Sequence, residues 1–323
     1  ACGKSNIILA MDILKKMVMK GTLNCKELAP YKNVMSFIRD TNWYDPIFLE
    51  ITFATQTDIF RYGIKFTGVP KYRVLEESLF VNEELFFNKD CKNKIHVDIE
   101  HLIKAAYISQ DDRAFAEQLV SKLNQNTDST KLVISGAISN LFKKKYFEDF
   151  ISWFESFNVI MNANEMDFKQ NDLKAIILDK SNTDAPRDIF ESNSVKAIMD
   201  IAEFGNQEIG FKSNIENDEL SMYSMYKIPL QKTPNSERYT LLLEADLMES
   251  KGTIHLIHLL QPFIDALRDG GVIVLDEMDA SLHFEIVVSL IRIFNNPNIN
   301  KNNAQLIFNT HNPIYLDGDL LRH

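Results

Sequence analysis

The hydrophobic pattern changes period several times along the chain, and each change marks a different kind of element. Ile7–Lys16 reads as a helix, and residues 21–46 are irregular, with Pro30 and Pro46 as breakers. Ile47–Phe53, Ile59–Phe66 and Tyr72–Val81 then read as successive strands. In the second of these, Phe60, Tyr62, Ile64 and Phe66 alternate with Arg61, Gly63, Lys65 and Thr67, the period of a half-solvated antiparallel sheet. The aromatic side chains of this layer read as core packing rather than as a platform for stacked bases.

From 95 to 205 the period becomes helical: Ile99, Leu102, Ile103, Ala106 and Tyr107 form one such set, and Ile138, Leu141, Phe142, Phe147, Ile151 and Phe154 another. A further helix over Val195–Phe204 stops at Gly205, and the polar segment Lys212–Asn235 reads as loops and edge strands. The last third is regular again. A strand over Tyr239–Glu244 and a loop over Met248–Thr253 precede a helix whose apolar face is Ile257, Leu260, Phe263, Ile264 and Leu267. After Gly270 and Gly271, the four aliphatic residues Val272–Leu275 predict a fully buried strand, central in a parallel sheet. A helix near Phe284–Phe294 and an apolar strand over Gln305–Asn309 complete a βαβ unit. The fold class is therefore α/β, divided as 1–94, a helical insertion over 95–235, and 236–323.

Composition narrows the setting. The 323 residues suffice for one large domain or two modest ones. The net charge of −10 argues against a surface built wholly for nucleic acid, although a local basic groove stays compatible with it. Lys143–Lys145 is the one tight basic run and reads as a solvated helix face. Cys2, Cys25 and Cys91 show neither metal-ligand spacing nor a disulfide framework, which favours a reducing, cytoplasmic setting. No apolar run approaches the length of a membrane span.

The candidate chemistry lies at both ends. Gly3-Lys4-Ser5-Asn6 opens the first helix as the second half of a phosphate-binding loop would. Backbone N–H groups at such a helix start hold phosphate oxygens, Lys4 would reach the β- and γ-phosphates, and the Ser5 hydroxyl would ligate Mg²⁺. The first glycine of the full loop would lie upstream of Ala1. Far downstream, the Val272–Leu275 strand ends in Asp276 and Glu277. Ligands bind outside the carboxyl ends of strands in open α/β sheets. In a P-loop NTPase the first acid there holds Mg²⁺, and the second orients or deprotonates the attacking water. The bland reading is an acidic strand-to-helix turn with Asp279 or Ser281 as helix cap. His311 ends the next strand at the same sheet edge and is the candidate γ-phosphate contact.

Taken together, these segments resemble the ATPase head of the ABC-type superfamily, and more narrowly the OLD-family and RloA-like ATPases found beside bacterial phage-defence genes. The resemblance runs through Gly3–Asn6 as Walker A, Glu249-Ser-Lys-Gly-Thr253 as a short signature loop, Leu275-Asp-Glu277 as Walker B, Asp279–His283 as D-loop and Thr310–Pro313 with the switch histidine. The signature lacks the leucine and glutamine of transporter ATPases, and Gln56 is in the wrong local context for a glutamine loop. The resemblance implies a P-loop fold with a mixed sheet, an antiparallel layer and an inserted helical subdomain. It also implies a head-to-tail homodimer that sandwiches ATP and Mg²⁺. Lys4, Ser5, Asp276, Glu277 and His311 would then act in cis, Ser250, Gly252 and Thr253 in trans, and Asp279 would link the two sites. The leading expectation is an ATP-hydrolysing regulatory subunit that controls a toxic effector such as a nuclease. A DNA-binding clamp resembling SMC-type or RecF-type heads is a second, weakened by the acidic charge and by a stretch over 95–205 too short and too irregular in heptad terms for a long coiled coil. A nucleotide-dependent scaffold with little turnover is a third, disfavoured by Glu277.

Overall fold

The computed structural model describes residues 4–23, 46–67, 73–126, 128–135, 138, 144–161, 208–213, 220–229, 238–244, 247, 250–279, 282–316, 318 and 320–321. Its contacts divide the chain into two compact units, Leu9–Glu155 and the combination of Ala1–Ile8 with Ser156–His323.

Helix α1 (Lys4–Lys20) begins three residues before the helix read from the sequence, so Lys4 and Ser5 sit in its first turn. In the Leu9–Glu155 unit, its residues Leu9, Ile13, Leu14, Met17 and Val18 recur at helical spacing and are buried. The strands β1 (Ile47–Ala54), β2 (Ile59–Thr67), β3 (Arg73–Val81), β4 (Glu84–Lys89) and β5 (Ile95–His96) form one antiparallel sheet in chain order. The expected layer is therefore present, extended by β4 and β5, whose short runs carry too little alternation to be read in advance. Phe60, Tyr62, Ile64 and Phe66 are fully buried, as the period-two pattern requires. Against Phe60 and Tyr62 pack Phe150 and Phe154 of α4 (Lys144–Ser156), with Trp153 stacked on Phe53 at 3.9 Å between ring centroids.

Two helical readings end early or are interrupted. The pattern Ile99–Tyr107 yields α2 (Ile99–Lys104), which stops because Ala106 takes φ +63° while Tyr107 and Ile108 turn into the core. The stretch 95–235 holds α2, α3 (Arg113–Gln125) and α4, but also β5 and strands β6 (Phe157–Ile160), β7 (Glu208–Ser213) and β8 (Leu220–Pro229). It is not helical throughout: the Phe-Asn-Val-Ile run has strand composition and finds a strand partner. β8 is no edge strand either, since it lies between β7 and β9 (Arg238–Glu244) in an antiparallel sheet. The readings on residues 24–45 and on Val195–Phe204 fall outside the described residues, as do the Lys143–Lys145 side chains.

In the other unit, β10 (Val272–Leu275) is the middle strand of a parallel sheet, between β11 (Gln305–Phe308) and β6. All four of its residues are buried, which explains the unbroken aliphatic run. Helices α5 (Lys251–Asp269) and α6 (Phe284–Asn295) supply most of the core around it, through Leu256, Leu260, Phe263 and Leu267 on one and Ile286, Val287, Leu290 and Ile291 on the other. Two glycines make the α5–β10 turn. Gly270 ends α5 with φ +75°, and a Cβ on Gly271 would lie 2.6 Å from the Ser156 carbonyl oxygen beside β6.

Candidate functional site

β10 and β11 run parallel and in register, with Leu275 opposite Phe308, so the residues that follow them leave from the same edge of the sheet. The ladder continues one step beyond both strands: the Asn309 N–H donates to the Leu275 carbonyl at 3.2 Å, and the Asp276 N–H to that of Ile160 at 3.0 Å. Asp276 is thus fixed by the same regular pairing that builds the sheet, and its carboxylate stands at the edge where α/β sheets bind ligands.

The first turn of α1 meets that carboxylate. The Ser5 hydroxyl donates to Asp276 Oδ1 at 3.0 Å, and Lys4 Nζ donates to the Thr310 carbonyl at 2.9 Å. Residues 271 apart in sequence therefore share one hydrogen bond. A helix N-terminus with free N–H groups, an ammonium and a hydroxyl is suited to phosphate. The hydroxyl and the carboxylate are hard oxygen donors, the set that suits Mg²⁺, and such a site keeps most of its remaining ligands as water and phosphate. The donor set thus fits the implied ion. Asn6 lies exposed in the same turn, and Gly3 is outside the described residues.

Glu277 differs from its neighbour in exposure and in backbone conformation. It is exposed and takes φ +52°, a left-handed conformation that costs a residue with a side chain on the order of 1–3 kcal/mol. Its N–H donates to Asn309 Oδ1, and its Oε1 lies 3.4 Å from His311 Nε2. The Glu277 and His311 side chains are both more than half exposed. Asn309 Nδ2 donates to Asp276 Oδ1. The turn after β10 and the turn after β11 are tied again by Thr310, buried to 7% exposure, whose hydroxyl donates to Asp279 Oδ2 at 2.8 Å. Burial, and then the Asp279 charge, hold the Tyr315 hydroxyl above the usual tyrosine range nearby.

Lys4, Ser5, Asp276, Glu277 and His311 are therefore brought to one sheet edge. Asp279, expected as a link between two sites, is held by Thr310 of its own chain. Ser250, Gly252 and Thr253 lie at the start of α5, where Ser250 is the N-cap: its Oγ accepts from the Thr253 N–H at 3.0 Å and pairs with Thr253 Oγ1 at 2.8 Å. The cap of α6 is not Asp279 but His283, whose ring nitrogen accepts from the Glu285 N–H at 3.4 Å, and Ser281 lies outside the described residues. Gln56 lies in the β1–β2 turn. Sequence reasoning passed over Asn309 as the last residue of a strand. Its signal was a polar side chain ending an apolar run two positions before the histidine.

Among the described residues no group of His, Cys, Asp and Glu forms a metal cluster, and no helix is long and apolar enough to cross a membrane. A site that pairs one carboxylate with a hydroxyl forms no such cluster. A search of curated proteins finds no match to the chain. The model of a family described as "AAA domain, putative AbiEii toxin, Type IV TA system" matches residues 1–317, nearly the whole length, and covers both the helix-start Gly-Lys-Ser and the two acids after β10. The chain belongs to that family, as an AAA-type P-loop ATPase domain of mixed α/β content with antiparallel and parallel sheets.

Proposed function

We propose that this chain binds ATP with Mg²⁺, hydrolyses it, and uses the cycle as a dimerisation switch that restrains or licenses a toxic effector in a phage-defence system, in the manner of the OLD-family and RloA-like ATPases it resembles. The observation that carries the hydrolytic part is the convergence of Lys4, Ser5, Asp276, Glu277 and His311 at one sheet edge, with Ser5 bonded directly to Asp276. The family's description, with its toxin and type IV toxin–antitoxin terms, supports the defence context.

In this reading each residue has one task. Lys4 exchanges the Thr310 carbonyl for the β- and γ-phosphates. Ser5 and Asp276 hold Mg²⁺, which when bound neutralises phosphate charge. Glu277 orients and deprotonates the attacking water, and His311 donates to the γ-phosphate. Phosphoryl transfer is catalysed by alignment and charge neutralisation, so donors missing from one protomer are felt strongly. Ser250, Gly252 and Thr253 supply those donors from a second copy, with the hydroxyls and N–H groups that open α5 facing the γ-phosphate. ATP then binds the closed pair better than the open one, and hydrolysis removes that difference. The setting is cytoplasmic, and the partner is a nuclease or another toxin.

A mixing experiment tests the composite site. Protein carrying Lys4→Ala is combined with protein carrying Ser250→Ala, and ATP hydrolysis is followed across the ratios. A mixed dimer keeps one site assembled from two intact halves, so mixtures should exceed the dose-weighted sum of the two variants measured alone. Activity that only tracks the dose of each variant would show that the sites are not shared.

A further inference from the structure

Asn309 bonds to four successive residues, the last of β10 and the first three of the turn after it. Its N–H donates to the Leu275 carbonyl and its carbonyl accepts from the Met278 N–H at 3.3 Å. Its side-chain Nδ2 donates to Asp276 Oδ1, and its Oδ1 accepts from the Glu277 N–H. Every polar group of the residue is thus engaged by Leu275–Met278. The two side-chain bonds fix which end of the amide faces which partner, since a carboxylate only accepts and a backbone N–H only donates.

We propose that Asn309 is a positioning residue for ATP hydrolysis: it sets the Asp276 carboxylate for the metal and holds Glu277 turned away from it, so that two adjacent acids keep separate tasks. This rests on the ATPase reading given above. Two neighbouring carboxylates compete for the same cation unless the backbone between them is constrained, and Glu277 is held in a left-handed conformation that few residues adopt unaided. Its N–H bond to Asn309 holds it there. On the other side, Ser5 and Asn309 both bond to Asp276 Oδ1. Among the described residues no hydrogen bond uses Oδ2, which is the oxygen left for a cation. The amide is suited to this because it carries a donor and an acceptor on one rigid plane. An aspartate lacks the donor and adds a third negative charge, and a leucine of similar size lacks both. Groups that orient a metal ligand from behind typically change metal affinity or activity by 10–100-fold when removed.

A second asparagine in the same unit provides the control. Asn300, 5% exposed, also templates a turn: its Nδ2 donates to the Phe294 and Ala304 carbonyls and its Oδ1 accepts from the Ala304 N–H. It touches none of the site residues in those bonds. The experiment compares the parent chain with Asn309→Leu, Asn309→Ala and Asn300→Leu. It reads the melting temperature, Mn²⁺ binding by electron paramagnetic resonance in the presence of a non-hydrolysable ATP analogue, and kcat and KM for ATP. Both Asn309 variants should lose on the order of 10–100-fold in kcat and in Mn²⁺ affinity, with binding of the analogue in EDTA unchanged. Asn300→Leu should lower the melting temperature yet keep kcat and Mn²⁺ affinity. The alanine variant ensures that a poor fit of leucine is not mistaken for loss of the amide. Should the Asn309 variants stay within about twofold of the parent in both quantities, or Asn300→Leu lose them equally, the positioning role is overturned. A parent that neither hydrolyses ATP nor binds Mn²⁺ with the analogue overturns the ATPase reading as well, whereas an active parent with unaffected Asn309 variants overturns this proposal alone.

Discussion

Glu77 on β3 and Asp276 after β10 are both carboxylates that collect hydrogen bonds from remote parts of the chain, yet different kinds of donor hold them. Glu77 lies on β3 at 1% exposure and accepts from the Val133 N–H at 2.6 Å, the Ile134 N–H at 3.0 Å and the Tyr62 hydroxyl at 3.0 Å. Burial pushes its carboxyl above the usual glutamate value, and the backbone bonds, the Tyr62 bond and Lys89 pull the other way. Burial likewise lowers the Lys89 ammonium and raises the Tyr62 hydroxyl well above its ordinary value. Asp276 is only half-buried, and its side-chain partners are a hydroxyl and an amide on other elements. A carboxylate whose donors are buried backbone N–H groups cannot give them up without unfolding the loop that supplies them. One whose donors are side chains at a sheet edge can exchange them for a ligand. The kind of donor, more than the acid itself, separates the architectural carboxylate from the one open to exchange.

The largest effect that would break this contrast is expected at Lys4. Lys4→Ala should remove about 2–5 kcal/mol of nucleotide binding while leaving the melting temperature unchanged, because its ammonium is exposed and packs no core. Equilibrium titration with a labelled ATP analogue checks it, and unaltered affinity would remove the phosphate-loop assignment. Glu77→Ala should do the reverse, leaving analogue affinity intact but stranding three buried donors. At about 1–3 kcal/mol for each unmet group, chemical unfolding should show a loss of about 3 kcal/mol or more.

A gentler probe sharpens the same point through pH. The folded-state pKa of Glu77 is raised above its ordinary 4.5, so the folded chain holds that proton more tightly than the unfolded one. Its contribution to stability is therefore greatest below 4.5 and falls as pH rises from there through the raised folded value. The parent minus Glu77→Gln difference in unfolding free energy should follow that slope, and a difference that grows with pH in this window would contradict it. The smallest effect is expected at Ser250. Ser250→Ala removes the α5 cap at a cost of about 1 kcal/mol, visible in urea unfolding. A much larger loss of ATPase activity than this cost explains would point to its γ-phosphate role.

How much of this was legible in advance depended on range. The strand Val272–Leu275, its position in the middle of a parallel sheet, and the paired acids after it could be read because the pattern is local and unbroken. The Gly-Lys-Ser helix start was legible for the same reason. What failed to show were partnerships. Nothing near Glu77 announces that Val133 and Ile134 donate to it from 56 and 57 residues away. Nothing near Asp276 announces Asn309, 33 residues on. β6 was missed inside an expected helical stretch because four residues carry little periodicity, and only pairing with β10 settles their conformation. The left-handed turns at Ala106 and Glu277 were likewise unreadable, since neither residue type favours them and surrounding structure imposes them.

The division of labour between the two acids after β10 is the centre of the account, and single-turnover hydrolysis with nucleotide binding, measured together on Glu277→Gln and Asp276→Asn, tests it most directly. Glu277→Gln keeps the side-chain size and removes the base, so hydrolysis should slow by about 10²–10⁴-fold while Mg²⁺-dependent ATP binding persists. Asp276→Asn removes a charge from the oxygen set shared with Ser5, so ATP binding itself should weaken, and only when Mg²⁺ is present. If Glu277→Gln hydrolyses at the parental rate, or loses ATP binding as Asp276→Asn is expected to, then the two carboxylates do not divide the work as their surroundings indicate.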